Sequence, residues 1–220
     1  MDYKEKRFEE DIESFLLSHG GYVKGNMQSY DAEKAIDMEA LIRFIKASQP
    51  KQWERYLRNY KEDAENKLYK RLNEEIENNG LIHVLRNGIN DRGVKINIAY
   101  FKPENSLNPD ILKLYNNNIL TCTRQFAYST ENHNTIDMVL SLNGIPLVAI
   151  ELKNQITGQS IENAKTQYMY DRNPKELAFQ FNKRILVYFA VDLYEVWMTT
   201  KLDGKNTLFL PFNQGSNGAG

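Results

Sequence analysis

The stretch Thr135-Ile136-Asp137-Met138-Val139-Leu140-Ser141-Leu142-Asn143-Gly144-Ile145-Pro146-Leu147-Val148-Ala149-Ile150-Glu151-Leu152-Lys153-Asn154 decides how the rest of the chain is read. Two arms rich in aliphatic and β-branched residues flank Asn143-Gly144, a dipeptide suited to a tight hairpin because both residues tolerate positive φ. Three charged residues interrupt the apolar pattern: Asp137 on the first arm, Glu151 and Lys153 on the second. Side chains alternate along a strand, so Glu151 and Lys153 emerge on one face. A three-residue loop, or a two-residue turn plus a bulge, sets Asp137 directly across from Glu151, with the carboxylates within about 5 Å.

Two carboxylates that close on a mostly buried sheet repel one another and are costly to desolvate unless a cation holds them. Oxygen ligands at that spacing suit magnesium or manganese. Lys153 adds a positive charge that could orient a water or offset an anionic transition state. Asp followed by Glu-x-Lys is the arrangement of the metal-dependent PD-(D/E)XK nucleases. The same residues arise by chance, and a salt-bridged strand pair is the competing reading.

With 220 residues, one large domain, or one domain and an appendage, is expected. A formal net charge of −1 excludes a basic global field, so a nucleic-acid substrate requires a local patch or a separate domain to hold it. The single Cys122 excludes an internal disulfide and reads as a core thiol. The N-terminus leads straight into charged residues without a signal-peptide pattern, and no apolar run approaches the roughly 18 residues that span a bilayer. A cytoplasmic location and no membrane partner are expected.

Working outward, residues 4–18 place Phe8, Ile12, Phe15 and Leu16 at helical spacing, with Glu9 and Glu13 one turn apart beside that stripe. From Asp37 to Asn79 the pattern is helical and charged, with Asp37 suited to cap the first helix and Pro50 to separate the first two. After Gly93 the period changes to two. Strands are expected over Val94–Tyr100, Ile119–Tyr128, Arg184–Val191, Tyr194–Thr200 and Thr207–Pro211. Between them, helices are expected over Asp110–Asn117 and, capped by Ser160, over Ile161–Asp171. Hairpin and crossover connections both occur. The expected fold is α/β: a mixed central sheet flanked by helices, with a helical N-terminal third.

The hairpin and its surroundings resemble the nuclease core of the R (restriction and motor) subunit of type I restriction-modification enzymes. The resemblance takes in Phe8-Glu9 before Gly20-Gly21-Tyr22, Gln49-Pro50 with Trp53, and Ala99-Tyr100-Phe101-Lys102-Pro103. It continues through Arg124-Gln125, Tyr128-Ser129, the hairpin, Gln167-Tyr168 and Asp171-Arg172-Asn173-Pro174-Lys175, and on to Phe209-Leu210-Pro211-Phe212-Asn213. It implies a restriction-endonuclease-like fold with an endonuclease domain over residues 1–212, mainly helical over 1–90 and sheet-containing over 91–212. Residues 213–220 have linker composition, leading toward helicase-like motor domains. This chain contains no G-x-x-x-x-G-K-[ST] phosphate loop, so ATP would serve only the full-length motor.

The resemblance further implies Asp137 and Glu151 as ligands of Mg²⁺ (or Mn²⁺) and Lys153 as the catalytic lysine. One branch carries Gln-x-x-x-Tyr on the following helix. Gln167 fits that motif, Tyr170 comes one residue early, and Asp171 stands where the tyrosine belongs. Glu9, then Glu13, match an N-terminal helix glutamate that approaches the metal, so Glu9, Glu13 and Tyr170 are accessory candidates. The implied activity is hydrolysis of duplex DNA delivered by the translocase, and the implied partners are the methyltransferase and specificity subunits and the chain's own motor. Two rivals stand beside it: a degenerate nuclease acting as a docking module, and a solitary DNA-repair nuclease of the same fold.

Overall fold

The computed structural model describes residues 3–104, 108–154 and 158–212; the linker-like residues 213–220 lie outside them. The first apolar stripe winds as α1 (Tyr3–His19), and Gly20 and Gly21 end it, Gly21 at φ +73°. Three two-residue strands follow: β1 (Val23–Lys24), β2 (Tyr30–Asp31) and β3 (Ile36–Asp37). Asp37 then caps α2 (Met38–Ser48), its Oδ1 accepting from the Ala40 N–H at 2.9 Å. Pro50 sits at the start of α3 (Pro50–Tyr60), where its missing N–H costs nothing. A 3₁₀ turn leads into α4 (Ala64–Asn79), and Gly80 separates that helix from α5 (Leu81–Asn87).

The small hairpin of β4 (Ile89–Asp91) and β5 (Val94–Ile96) follows. β5 is shorter than the alternation over Val94–Tyr100 predicts. The reason is Gln49, whose side-chain amide accepts from the Asn97 N–H at 2.8 Å and donates to the Asn97 carbonyl at 2.9 Å. One side chain thus supplies both bonds that a neighbouring strand would make. Further on come α6 (Pro109–Asn116), capped by Asn108, and β6 (Leu120–Ala127). The hairpin itself consists of β7 (Thr135–Leu142) and β8 (Ile145–Leu152). After α7 (Ile161–Thr166) the expected helix widens into a π turn over Gln167–Asp171. The chain ends in β9 (Val187–Val191), β10 (Val196–Thr199) and β11 (Leu210–Pro211), each shorter than its sequence pattern predicts. At the last of these, Thr207 Oγ1 is bound instead within a turn, to Asp203 and Gly204.

Seven strands form one mixed sheet in the order β1-β6-β7-β8-β9-β10-β11. The β1–β6 and β8–β9 pairs are parallel, and the crossover between β8 and β9 runs through α7. Cores lie on either side of the sheet. Phe8, Ile12 and Leu16 of α1 pack with Cys122, Met138 and Leu152, whereas Ala164 and Tyr168 pack with Val139, Ala149 and Ala190. The helices α2 to α5 share a third core with the turn end of the hairpin, through Ile145, Leu142 and Leu147. Among the described residues no helix is long and apolar enough to cross a membrane.

Candidate active site

The hairpin turn has Asn143 at φ +51° and Gly144 at φ +84°, the paired positive values that fit the twist of two strands. It is not a solvent turn. Asn143 is fully buried: its side chain accepts from Ile119 N–H at 2.7 Å and donates to the Ile98 carbonyl at 2.8 Å. A side chain at Gly144 would strike the Asp37 carbonyl, whose own N–H donates to Gly144 O at 2.9 Å. The hairpin is therefore anchored at its closed end, and its open end carries the charged residues.

The register shifts between Leu140 and Ser141: Ser141 lies opposite Pro146 while Leu140 lies opposite Val148, leaving Leu147 as the extra residue of a bulge. A proline without an N–H is tolerated at such an irregularity. Beyond the bulge Met138 faces Ile150, so the next pair along brings Asp137 opposite Glu151. This is the two-residue turn plus bulge that the sequence left open.

A second irregularity meets the first strand at the same level. Gln125, at φ +49°, sits in β6 between the pairs Arg124–Met138 and Phe126–Ile136. Cys122 and Met138 pack under α1, but Phe126 and Ile136, which strict alternation would put on that face, pack in the opposite core. Both strands change faces at Gln125 and Asp137. The break in alternation is what lets Asp137 look into a cleft instead of a core.

That cleft is lined by Gln125, Asp137, Lys153, Gln159, Asn163, Thr166 and Gln167. Asp137 Oδ2 accepts the Leu152 N–H at 2.8 Å, and Lys153 Nζ lies 3.9 Å from the same oxygen. Glu151 is fully buried beneath them. Its Oε1 accepts from Arg172 Nε at 3.0 Å and Nη2 at 2.6 Å, and its Oε2 has no hydrogen-bond partner. Burial first, and the charge of Asp137 second, push the Glu151 carboxyl up to about 8 against the pull of Arg172. Gln167 Oε1 is likewise buried without a partner.

The structure thus brings Asp137, Glu151, Lys153 and Gln167 together. Glu9 is buried on α1 and reaches the group through Gln125, whose Nε2 donates to Glu9 Oε1 at 2.9 Å and whose Oε1 accepts from Thr135 at 2.9 Å. Glu13 pairs instead with Arg124, Nε to Oε2 at 3.4 Å. Tyr170 is 69% exposed and does not line the cleft, whereas Tyr168 is fully buried, with its hydroxyl donating to Phe189 O at 3.1 Å. In the sequence Gln125 stands out only as part of a matching segment, and Arg172 only through the Asp171-Arg172 pair at the corner where the motif's tyrosine is displaced; their contacts depend on a left-handed backbone and on a helix end that periodicity does not show.

Among the described residues no cluster of three or more His, Cys, Asp or Glu side chains is arranged to hold a metal. A magnesium ion does not require one, since it is commonly bound by one or two carboxylates and keeps several waters. The opposed carboxylates, the bare buried Glu151 Oε2 and the adjoining polar cleft fit such an ion. Comparison with curated proteins returned no match. The family model for the type I restriction enzyme R protein N terminus matches residues 3–207, taking in all of these side chains, and the chain belongs to that family.

Proposed function

We propose that this chain is the DNA-cleaving domain of a type I restriction enzyme, hydrolysing phosphodiester bonds with the help of a bound divalent cation. The observation that carries the reading is the convergence of Asp137, Glu151 and Lys153 at the open end of one hairpin, in a chain of the R-protein N-terminus family. Asp137 and Oε2 of Glu151 would hold magnesium or manganese, which supplies Lewis-acid chemistry: charge neutralisation at the phosphate and activation of a water.

The chain's own groups do the rest. Lys153 Nζ, close to Asp137 and only slightly exposed, is placed to donate to a phosphate oxygen or to the attacking water. Asp137 is held by the Leu152 N–H, so its second oxygen keeps a fixed direction. Gln167, with a buried amide oxygen that accepts nothing, is placed to take a hydrogen bond from a water or a substrate hydroxyl. The cleft wall of Gln125, Gln159, Asn163 and Thr166 offers uncharged donors and acceptors. Such groups position a sugar–phosphate backbone without reading bases.

A near-neutral chain is poorly equipped to capture DNA by charge alone. This supports delivery of duplex DNA by an ATP-driven motor, within a complex that includes methyltransferase and specificity subunits. The test is Asp137→Ala in the reconstituted enzyme. Loss of cleavage with DNA-stimulated ATP hydrolysis retained supports the assignment; cleavage at the normal rate refutes it and favours a docking role for the domain.

A further inference from the structure

Arg172 is almost completely buried and ion-paired to one of the residues that would hold the cation. Two roles would account for such a cation: it stands in for the metal and must leave, or it holds Glu151 in place. The contacts favour the second. Nε and Nη2 converge on a single oxygen, Oε1, and leave Oε2 without a partner. A guanidinium replacing a metal between the two carboxylates would bridge them, but all its carboxylate bonds go to Glu151 and none to Asp137.

Arg172 is also fixed by groups that have nothing to do with Glu151. Nη2 donates to the Thr135 carbonyl at 2.8 Å, on the strand that carries Asp137, and the guanidinium lies 5.4 Å from the centre of the Tyr128 ring. Its backbone is set by the sequence that follows. Proline disfavours helical geometry in the residue before it, so Asn173-Pro174 ends the π turn, and Arg172 lies in extended geometry at φ −113°, ψ 109°. The departure from the helix turns the side chain beneath the hairpin. One guanidinium thereby ties the Asp137 strand to the Glu151 carboxylate.

We infer that Arg172 is a positioning residue: it clamps Oε1 of Glu151 and fixes the carboxylate's orientation relative to Asp137, so that Oε2 is presented for the cation. This rests on the metal-dependent reading above. A planar two-pronged donor is required, because a lysine ammonium in its place keeps the charge but cannot grip one oxygen while also bonding the Thr135 carbonyl in fixed geometry.

The experiment is Mn²⁺ binding to the 220-residue chain by calorimetry, for the unaltered protein, Arg172→Lys, Arg172→Met and Glu151→Gln, with thermal melting to confirm that each is folded. The unaltered chain is expected to bind Mn²⁺ and Glu151→Gln to lose that binding. Both Arg172 variants are expected to weaken affinity about tenfold or more, as removal of a partner that orients a metal ligand typically does. Arg172→Lys, which preserves charge and most of the volume, decides the matter if Arg172→Met does not fold. Unchanged affinity in Arg172→Lys overturns the positioning role while leaving the metal reading intact. Tighter binding in either variant overturns it in favour of a displaceable stand-in. Absence of Mn²⁺ binding by the unaltered chain sinks the metal reading, and this inference with it.

Discussion

At the residue scale the site is a problem of charge taken out of water. Glu151 is fully buried, and its carboxyl is pushed up to about 8 from an ordinary 4.5 although Arg172 donates to it twice. The folded state therefore keeps a proton that the unfolded chain releases above about 4.5. The resulting stabilisation is complete below that pH and is lost as pH rises toward about 8. Urea denaturation in EDTA should show stability falling over this window, with a shallower slope in Glu151→Gln. A steeper or unchanged slope in the variant would assign the dependence to other groups. The meeting of Asp137, Glu151 and Lys153 at one end of the hairpin was legible in the sequence because strand alternation and an Asn-Gly turn are local signals. The grip of Arg172 on Glu151 was not: the Asp171-Arg172 pair marks the corner, but the contacts depend on Tyr128 and Thr135 from separate segments and on a helix end before Pro174.

At the scale of elements, the hairpin works because it contains one residue too many. The bulge at Leu147 moves the pairing by one position, and a one-residue slip exchanges the faces of a strand. A bulge-free pairing of the same residues would set Leu147 opposite Leu140 and Ile150 opposite Asp137, whereas deleting Leu147 should remove the bulge and keep Asp137 opposite Glu151. We expect the deletion protein to keep Mn²⁺ binding, measured by calorimetry, with circular dichroism confirming the sheet; loss of binding by the folded protein would show that this register does not set the site. The closed end admits a sharper stability test. Gly144 combines φ +84° with an Asp37 carbonyl where a side chain would stand. Gly144→Ala should cost about 2 kcal/mol or more in urea denaturation, from backbone strain and the displaced contact. A cost below about 0.5 kcal/mol, the usual range for an unconstrained surface position, would contradict this account of the turn. The sequence announced the turn but not its burial, since Asn143 and Gly144 are covered by segments far along the chain.

At the scale of the molecule, three cores brace one sheet, and the helix that carries Glu9 is held to it by a partly buried apolar stripe. Cys122 reports on that docking: it is fully buried beneath α1, and burial pushes its thiol up to about 11. It should resist thiol reagents at pH 8 and react on unfolding. Ready modification of the native protein would show that α1 does not stay in place. Fold class was readable from the order of periodic segments, and the short strands β1 to β4 were not, because two or three residues carry no period. Lys153 isolates what the braced site would do, since in the proposed reaction this residue serves the chemistry and does not hold the cation. The most direct measurement is the rate of DNA cleavage by the reconstituted enzyme carrying Lys153→Ala, with ATP hydrolysis followed in parallel. Cleavage is expected to slow about 10²-fold or more, the usual scale for a lost electrostatic donor, with ATP hydrolysis retained. Cleavage at close to the normal rate would contradict the proposed role of Lys153.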